Sequence, residues 1–134
     1  MEKIYESGED YLEAIYVIQK IHGSVRSVEL AEFMGYSKPS ISCAVANLQK
    51  KKFLIKDEKS FLHLTESGLK IAKNIYERHR FFTQLFISFG VEPRLAEDDA
   101  CKVEHVISEE TFKKIKENVK FNINDDLDKG KEKV

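Results

Sequence analysis

The sequence predicts a mainly α-helical chain with one small β-hairpin, laid out as a winged helix-turn-helix followed by an all-α domain. Three observations carry this. Two short capped helical stretches flank Gly35-Tyr36, two apolar stretches flank the polar run Lys56 to Ser60, and three segments of helical period follow. The expected domains are 1–65 for the winged module, 66–121 for the helical domain and 122–134 for a charged, frayed tail.

Ser7 to Ile21 reads as a first helix, since Tyr11, Leu12, Ile15, Ile18 and Ile21 recur near the helical period and Ser7 can cap with Asp10 three residues on. His22-Gly23 ends it. Val28 to Met34 follows with Ser27 as the expected N-cap, then Lys38 to Lys50 with Ser37 as N-cap and Pro39 in the first turn. In this third helix Ile41, Ala44, Val45 and Leu48 form the inward stripe, which leaves Lys38, Ser42, Cys43 and Asn47 toward solvent. Phe53 to Ile55 and Phe61 to Leu64 are the strands of the wing. Thr65 caps a long helix to about Phe89, with Leu69, Ala72, Ile75, Phe82, Leu85 and Phe86 among its apolar positions, and Gly90 stops it. Pro93 opens a helix to about Ile107. Ser108 caps the last one, with Phe112, Ile115 and Val119 on one face.

The 134 residues are 42% apolar and 34% charged, an ordinary soluble balance with no apolar run long enough to cross a bilayer. Met1 to Glu9 lacks the basic and apolar regions of a signal peptide. A cytoplasmic chain without a membrane partner is expected, and in a reducing compartment Cys43 and Cys101 are not expected to pair. Net charge is −1, so bulk electrostatics make no case for nucleic acid. The distribution does. Lys50, Lys51 and Lys52 cluster after the third helix, whereas Glu92, Glu97, Asp98 and Asp99 gather further on, which suggests a basic DNA-facing end and an acidic, cation-binding end.

A helix entering the major groove needs small polar side chains at its N-terminus, and Ser37, Lys38, Pro39, Ser40 and Ser42 supply them. Lys59 on the wing can reach a phosphate. Cys43, outward on the same helix, either touches a thymine methyl or is a small surface residue. At about 100° per residue, Ala96, Ala100, Val103 and Ile107 share one side of the fifth helix, and Glu97, Cys101, Glu104 and His105 the other. A thiol, a carboxylate and an imidazole at i, i+3 and i+4 make a metal-ligand pattern, although a chance surface trio has the same spacing. His79 falls in register with Ile75, Phe82 and Phe86 and so points inward, where it is either a satisfied core histidine or meets the Cys101 cluster across the short Gly90-Val91-Glu92 link. Asp10 and Glu13, one turn apart, offer two oxygen ligands, or simply suit the helix N-terminus.

Five stretches in this order resemble the diphtheria toxin repressor and manganese transport regulator family of metal-dependent repressors: Asp10 to Tyr16, Ser37 to Ser42, Leu64 to Gly68, Arg78 to Arg80, and Asp99 to Val106. The resemblance covers about Ile4 to Phe121. It implies that Asp10, Glu13, His79, Cys101, Glu104 and His105 match metal-ligand positions and that Ser37 to Cys43 begin the DNA-recognition helix. It also implies a homodimer built by the helices after the wing, which makes the all-α domain one for dimerisation and metal binding. Asp10 and Glu13 resemble the manganese branch and Cys101 the iron branch, while Thr83 and Glu97 stand where iron-type members carry an acidic ligand and a histidine. By the same resemblance a short form, without the SH3-like domain of longer members, is expected.

The expected function is a non-enzymatic regulator, a repressor of metal-uptake genes. It binds a palindromic double-stranded operator as a homodimer when loaded with Mn²⁺ or Fe²⁺, with Zn²⁺ or Co²⁺ tolerated in vitro and no small-molecule substrate. The alternative is a winged-helix regulator that senses a non-metal ligand or oxidation at Cys101.

Overall fold

The computed structural model describes residues 6–119. In chain order these form α1 (Glu6–His22), α2 (Ser27–Met34), α3 (Lys38–Lys50), β1 (Leu54–Lys56), β2 (Leu62–Leu64), α4 (Glu66–Ser88), α5 (Pro93–Val103) and α6 (Glu109–Asn118). The chain falls into two compact units, Met1–Asn74 and Ile75–Val134, with the division inside α4. The tail from Asn122 lies outside the described residues.

In the first unit, Leu12, Ile15 and Ile18 of α1 pack with Leu30 of α2, Ile41, Val45 and Leu48 of α3, and Leu54 and Leu62 of the hairpin. α2 and α3 are joined through Gly35, whose φ of 70° suits a residue without a Cβ. Ser37 caps α3 as expected, its hydroxyl accepting the Ser40 N–H at 3.3 Å. The strands pair antiparallel in the register Leu54 to Leu64, Ile55 to His63 and Lys56 to Leu62.

Two caps differ from the sequence reading. Ser7 lies inside α1, which has begun by Glu6, so it does not stand at the cap position expected of it. Ser27 is the first helical residue of α2, and Arg26 takes the cap position. Tertiary pairing moves that boundary: Arg26 bridges Phe61 of the hairpin, its guanidinium lies 4.1 Å from the Phe61 ring centre, and its N–H donates to the Glu29 carboxylate at 3.2 Å.

The hairpin is fastened to the start of α4 by the run Leu64 to Gly68. Thr65 caps α4, its hydroxyl accepting the Gly68 N–H while donating to the Lys52 carbonyl at 2.8 Å. A Cβ on Gly68 would lie 2.0 Å from the Phe53 carbonyl oxygen, so glycine is required by close approach. At the wing tip, Asp57 accepts the N–H groups of Lys59 and Phe61, each at 2.9 Å, and meets the His63 imidazole at 2.8 Å. These bonds, the His63 one first, hold the Asp57 carboxyl below its ordinary value.

In the second unit Phe81 and Phe82 of α4, Ala100 of α5 and Phe112 of α6 form a small apolar cluster. Phe81 and Phe112 meet edge to face with ring centres 5.4 Å apart. Ser108 caps α6 as expected, accepting the Thr111 N–H at 3.1 Å. α5 ends at Val103, one turn before the boundary expected from the sequence.

Candidate metal centre

α5 ends among the residues that carry its chemistry. Glu104 sits at the C-cap in helical conformation, its N–H donating to the Ala100 carbonyl at 3.0 Å, so it still follows Cys101 by one turn, while His105 lies in the turn beyond. Glu104, placed by the sequence on the side of α5 opposite its apolar stripe, is fully buried, at 0% exposure. Taking a carboxylate out of water costs several kcal/mol unless charged or hydrogen-bonding partners offset it. Here the partners are imidazoles. His79 Nδ1 lies 2.8 Å from one Glu104 oxygen, and His105 Nε2 lies 3.4 Å from the other.

His79 points inward from α4, as its place in the apolar stripe predicts, and is 3% exposed. The Cys101 sulfur approaches its Nδ1 at 3.6 Å from the solvent side, and Cys101 is exposed and unpaired as a thiol. Donor atoms of His79, Cys101 and Glu104 all lie within 4.8 Å of one another. Glu97, one turn before Cys101, reaches the far side of the same ring, 3.5 Å from Nε2. Thr83, a turn further along α4, is buried at 4% exposure.

An imidazole, a thiol and a carboxylate converging in this way, with a second imidazole beside them, form a borderline donor set that fits a divalent transition ion. Their chemistry supports it in another way, because a cation offsets the charge of a buried carboxylate and of a thiolate. Asp10 and Glu13 lie on α1 in the first unit, Asp10 half-buried and Glu13 buried at 6% exposure.

The DNA-reading residues expected from the sequence stand together on the first unit. Ser37, Lys38, Pro39, Ser40, Ser42 and Cys43 are all exposed around the first two turns of α3, while Ile41 is buried beneath them. Lys59 is exposed at the wing tip. A groove of about 380 Å³ runs between the start of α1 and the α2–α3 turn, lined by Asp10, Tyr11, Tyr36 and Ser37. Burial, then Tyr36 and Asp10, push the Tyr11 phenol above its ordinary value.

Residues 3–61 match the family model described as the iron-dependent repressor N-terminal DNA-binding domain, and residues 65–128 that of the iron-dependent repressor metal-binding and dimerisation domain. The HTH-type transcriptional regulator MntR of Bacillus pumilus is 32% identical over 115 residues, covering 86% of this chain and 80% of its own.

The chain belongs to the diphtheria toxin repressor and manganese transport regulator family.

Among solved members of that fold, the manganese regulator SloR superposes with a TM-score of 0.72 at 25% identity, covering 82% of this chain and 52% of SloR. A manganese-dependent transcriptional repressor in complex with manganese gives a TM-score of 0.72 at 26% identity, covering 82% and 51%. The chain thus spans about half the length of these two solved relatives of the family. The family is one of metal-dependent repressors that bind DNA and dimerise.

Arg78, beside His79, was named in the sequence only as part of a matching stretch. The structure buries it at 6% exposure against the turn that carries Glu104 and His105. The available signal was its position, three residues after Ile75 and four before Phe82, on the buried face of α4.

Proposed function

We propose that the protein is a metal-responsive repressor that binds a palindromic operator as a homodimer in the cytoplasm, and that its metal is Mn²⁺ or Fe²⁺. The observation that carries this is the convergence of His79, Cys101 and Glu104 donor atoms within 4.8 Å, in a chain whose α3 presents a capped, polar N-terminus. His105 stands beside this trio, and Asp10 and Glu13 supply the hard oxygen ligands that manganese and ferrous iron favour. Zn²⁺ and Co²⁺ suit the thiolate and imidazoles in vitro. Residues 1–65 serve as the reading module and 66–121 as the dimerising and sensing domain.

The centre acts as a sensor, not a catalyst, because binding differs between two arrangements of the dimer. Two recognition helices read a palindrome only when their separation matches successive half-sites. A bound ion shifts the population toward that arrangement only by as much as it binds it better, so a change from 1:99 to 99:1 needs about 5.5 kcal/mol. Two loaded protomers share that requirement. Ser37, Lys38, Pro39, Ser40, Ser42 and Cys43 then face the groove and Lys59 the backbone, with metal-uptake genes the expected targets.

The test is anaerobic isothermal titration of the metal-free protein with Mn²⁺, Fe²⁺ and Zn²⁺, in wild type and in a Glu104→Ala, His105→Ala double variant. Binding in wild type that is lost in the variant is the expected result. Wild type that binds none of the three ions would sink the proposal.

A further inference from the structure

Arg78 reaches three acceptors within six residues of chain. Its Nη1 donates to the Glu104 carbonyl at 3.1 Å and to the Ile107 carbonyl, and its Nη2 donates to the Glu109 carboxylate at 3.1 Å. The guanidinium carbon lies 5.2 Å from the centre of the Phe112 ring. These acceptors bracket the turn between α5 and α6, the turn that presents Glu104 and His105. The last carbonyls of a helix have no partner of their own, and a cation at that end satisfies them and suits the helix dipole. A planar fork with five donors can hold several carbonyls at once in one geometry, which an ammonium cannot.

Adjacent side chains on a helix diverge by about 100°. α4 therefore reaches the same turn twice: Arg78 takes the backbone carbonyl of Glu104, and His79 takes its carboxylate at 2.8 Å. An arginine offers no lone pair to a metal.

We propose that Arg78 is a positioning residue of the metal centre. By clamping the backbone of residues 104–109 it fixes Glu104 and His105 where they share an ion with His79 and Cys101. The inference rests on the metal-centre reading above and adds the part of the chain that sets its geometry.

Cobalt(II) added to the metal-free, full-length protein is the probe, because a Cys101 thiolate on cobalt gives a near-ultraviolet charge-transfer band that reports ligand geometry. Wild type is titrated first, and its failure to bind cobalt overturns the metal-centre reading itself. Arg78→Lys keeps the charge but loses the fork. Its far-ultraviolet circular dichroism should match wild type while cobalt affinity falls about tenfold to a hundredfold and the charge-transfer band shifts or weakens. A folded Arg78→Lys protein with wild-type affinity and an unchanged band overturns the inference. If Arg78→Lys does not fold, Glu109→Gln replaces it, since it loosens the far end of the clamp and leaves the guanidinium in place. A fall of about threefold to tenfold is then expected, and unchanged affinity overturns the inference.

Discussion

The two units are built on opposite principles. In the first, Leu12, Ile15, Leu30, Ile41, Leu54 and Leu62 are wholly buried or nearly so, and the residues assigned to DNA stand outside, on α3 and the wing tip. In the second, Phe81, Phe82, Ala100 and Phe112 make a small apolar cluster, and Arg78, His79, Thr83 and Glu104 are buried beside it. Glu13 is the one other buried polar residue among those described. A surface that reads DNA needs only a firm apolar base beneath a polar helix. A centre that senses an ion needs donors withdrawn from water, and therefore a second layer of charge to hold them.

The largest test of this contrast is Phe112→Ala. Phe112 is one of four buried residues at the centre of the second unit's apolar cluster, so the loss of a ring at 1% exposure should lower stability by about 3–5 kcal/mol, measured by urea unfolding of the metal-free protein. A much smaller loss would mean that the buried polar groups, not the aromatic cluster, hold that unit together. Next in size is the ion. Manganese at about a hundred times its dissociation constant should add about 2.7 kcal/mol to stability and nothing to the Glu104→Ala, His105→Ala double variant, as read by thermal unfolding. Equal gains in both proteins would place the bound ion elsewhere.

The first unit answers through its packing. Gly68→Ala sets a Cβ against the Phe53 carbonyl and should cost about 1–3 kcal/mol, with metal affinity unchanged. Loss of metal affinity along with stability would erase the contrast. The smallest effect belongs to the wing. The Asp57 carboxyl is held below its ordinary value of 3.8, so its contribution to wing order is complete above that value and is lost as pH falls through the lower folded one. The amide resonances of Lys59 and Phe61 should hold steady through neutral and mildly acidic pH and move only at the acid end. Movement near pH 6 would contradict the assignment to Asp57.

Periodicity carried the first unit well, because one apolar stripe per helix and one capped N-terminus at Ser37 decide its elements. It failed at Ser27, where pairing between Arg26 and Phe61, distant in sequence, sets the start of α2. In the second unit the inward direction of His79 was legible from its stripe, while its meeting with Cys101 was one of two readings that the sequence left open. The full burial of Glu104 was not, because a projection of one helix does not show the α4 side chains that reach it, His79 at its carboxylate and Arg78 at its carbonyl. α5 stops at Val103, and Arg78, an arginine on a buried face, gathers the carbonyls of the turn that follows. The place of Arg78 on the buried face of α4 is legible in the periodicity, but the carbonyls that it gathers, distant in sequence, are not.

The protein carries two thiols, both exposed: Cys43 on the helix assigned to DNA and Cys101 in the cluster assigned to the ion. The natural sequence is thus already equipped for chemical footprinting at both working surfaces, with no engineered label. Alkylation read by mass spectrometry should show Cys101 shielded by the ion alone and Cys43 shielded only when operator DNA is added. One reagent in one tube would then follow sensing and reading as separate events on the same molecule.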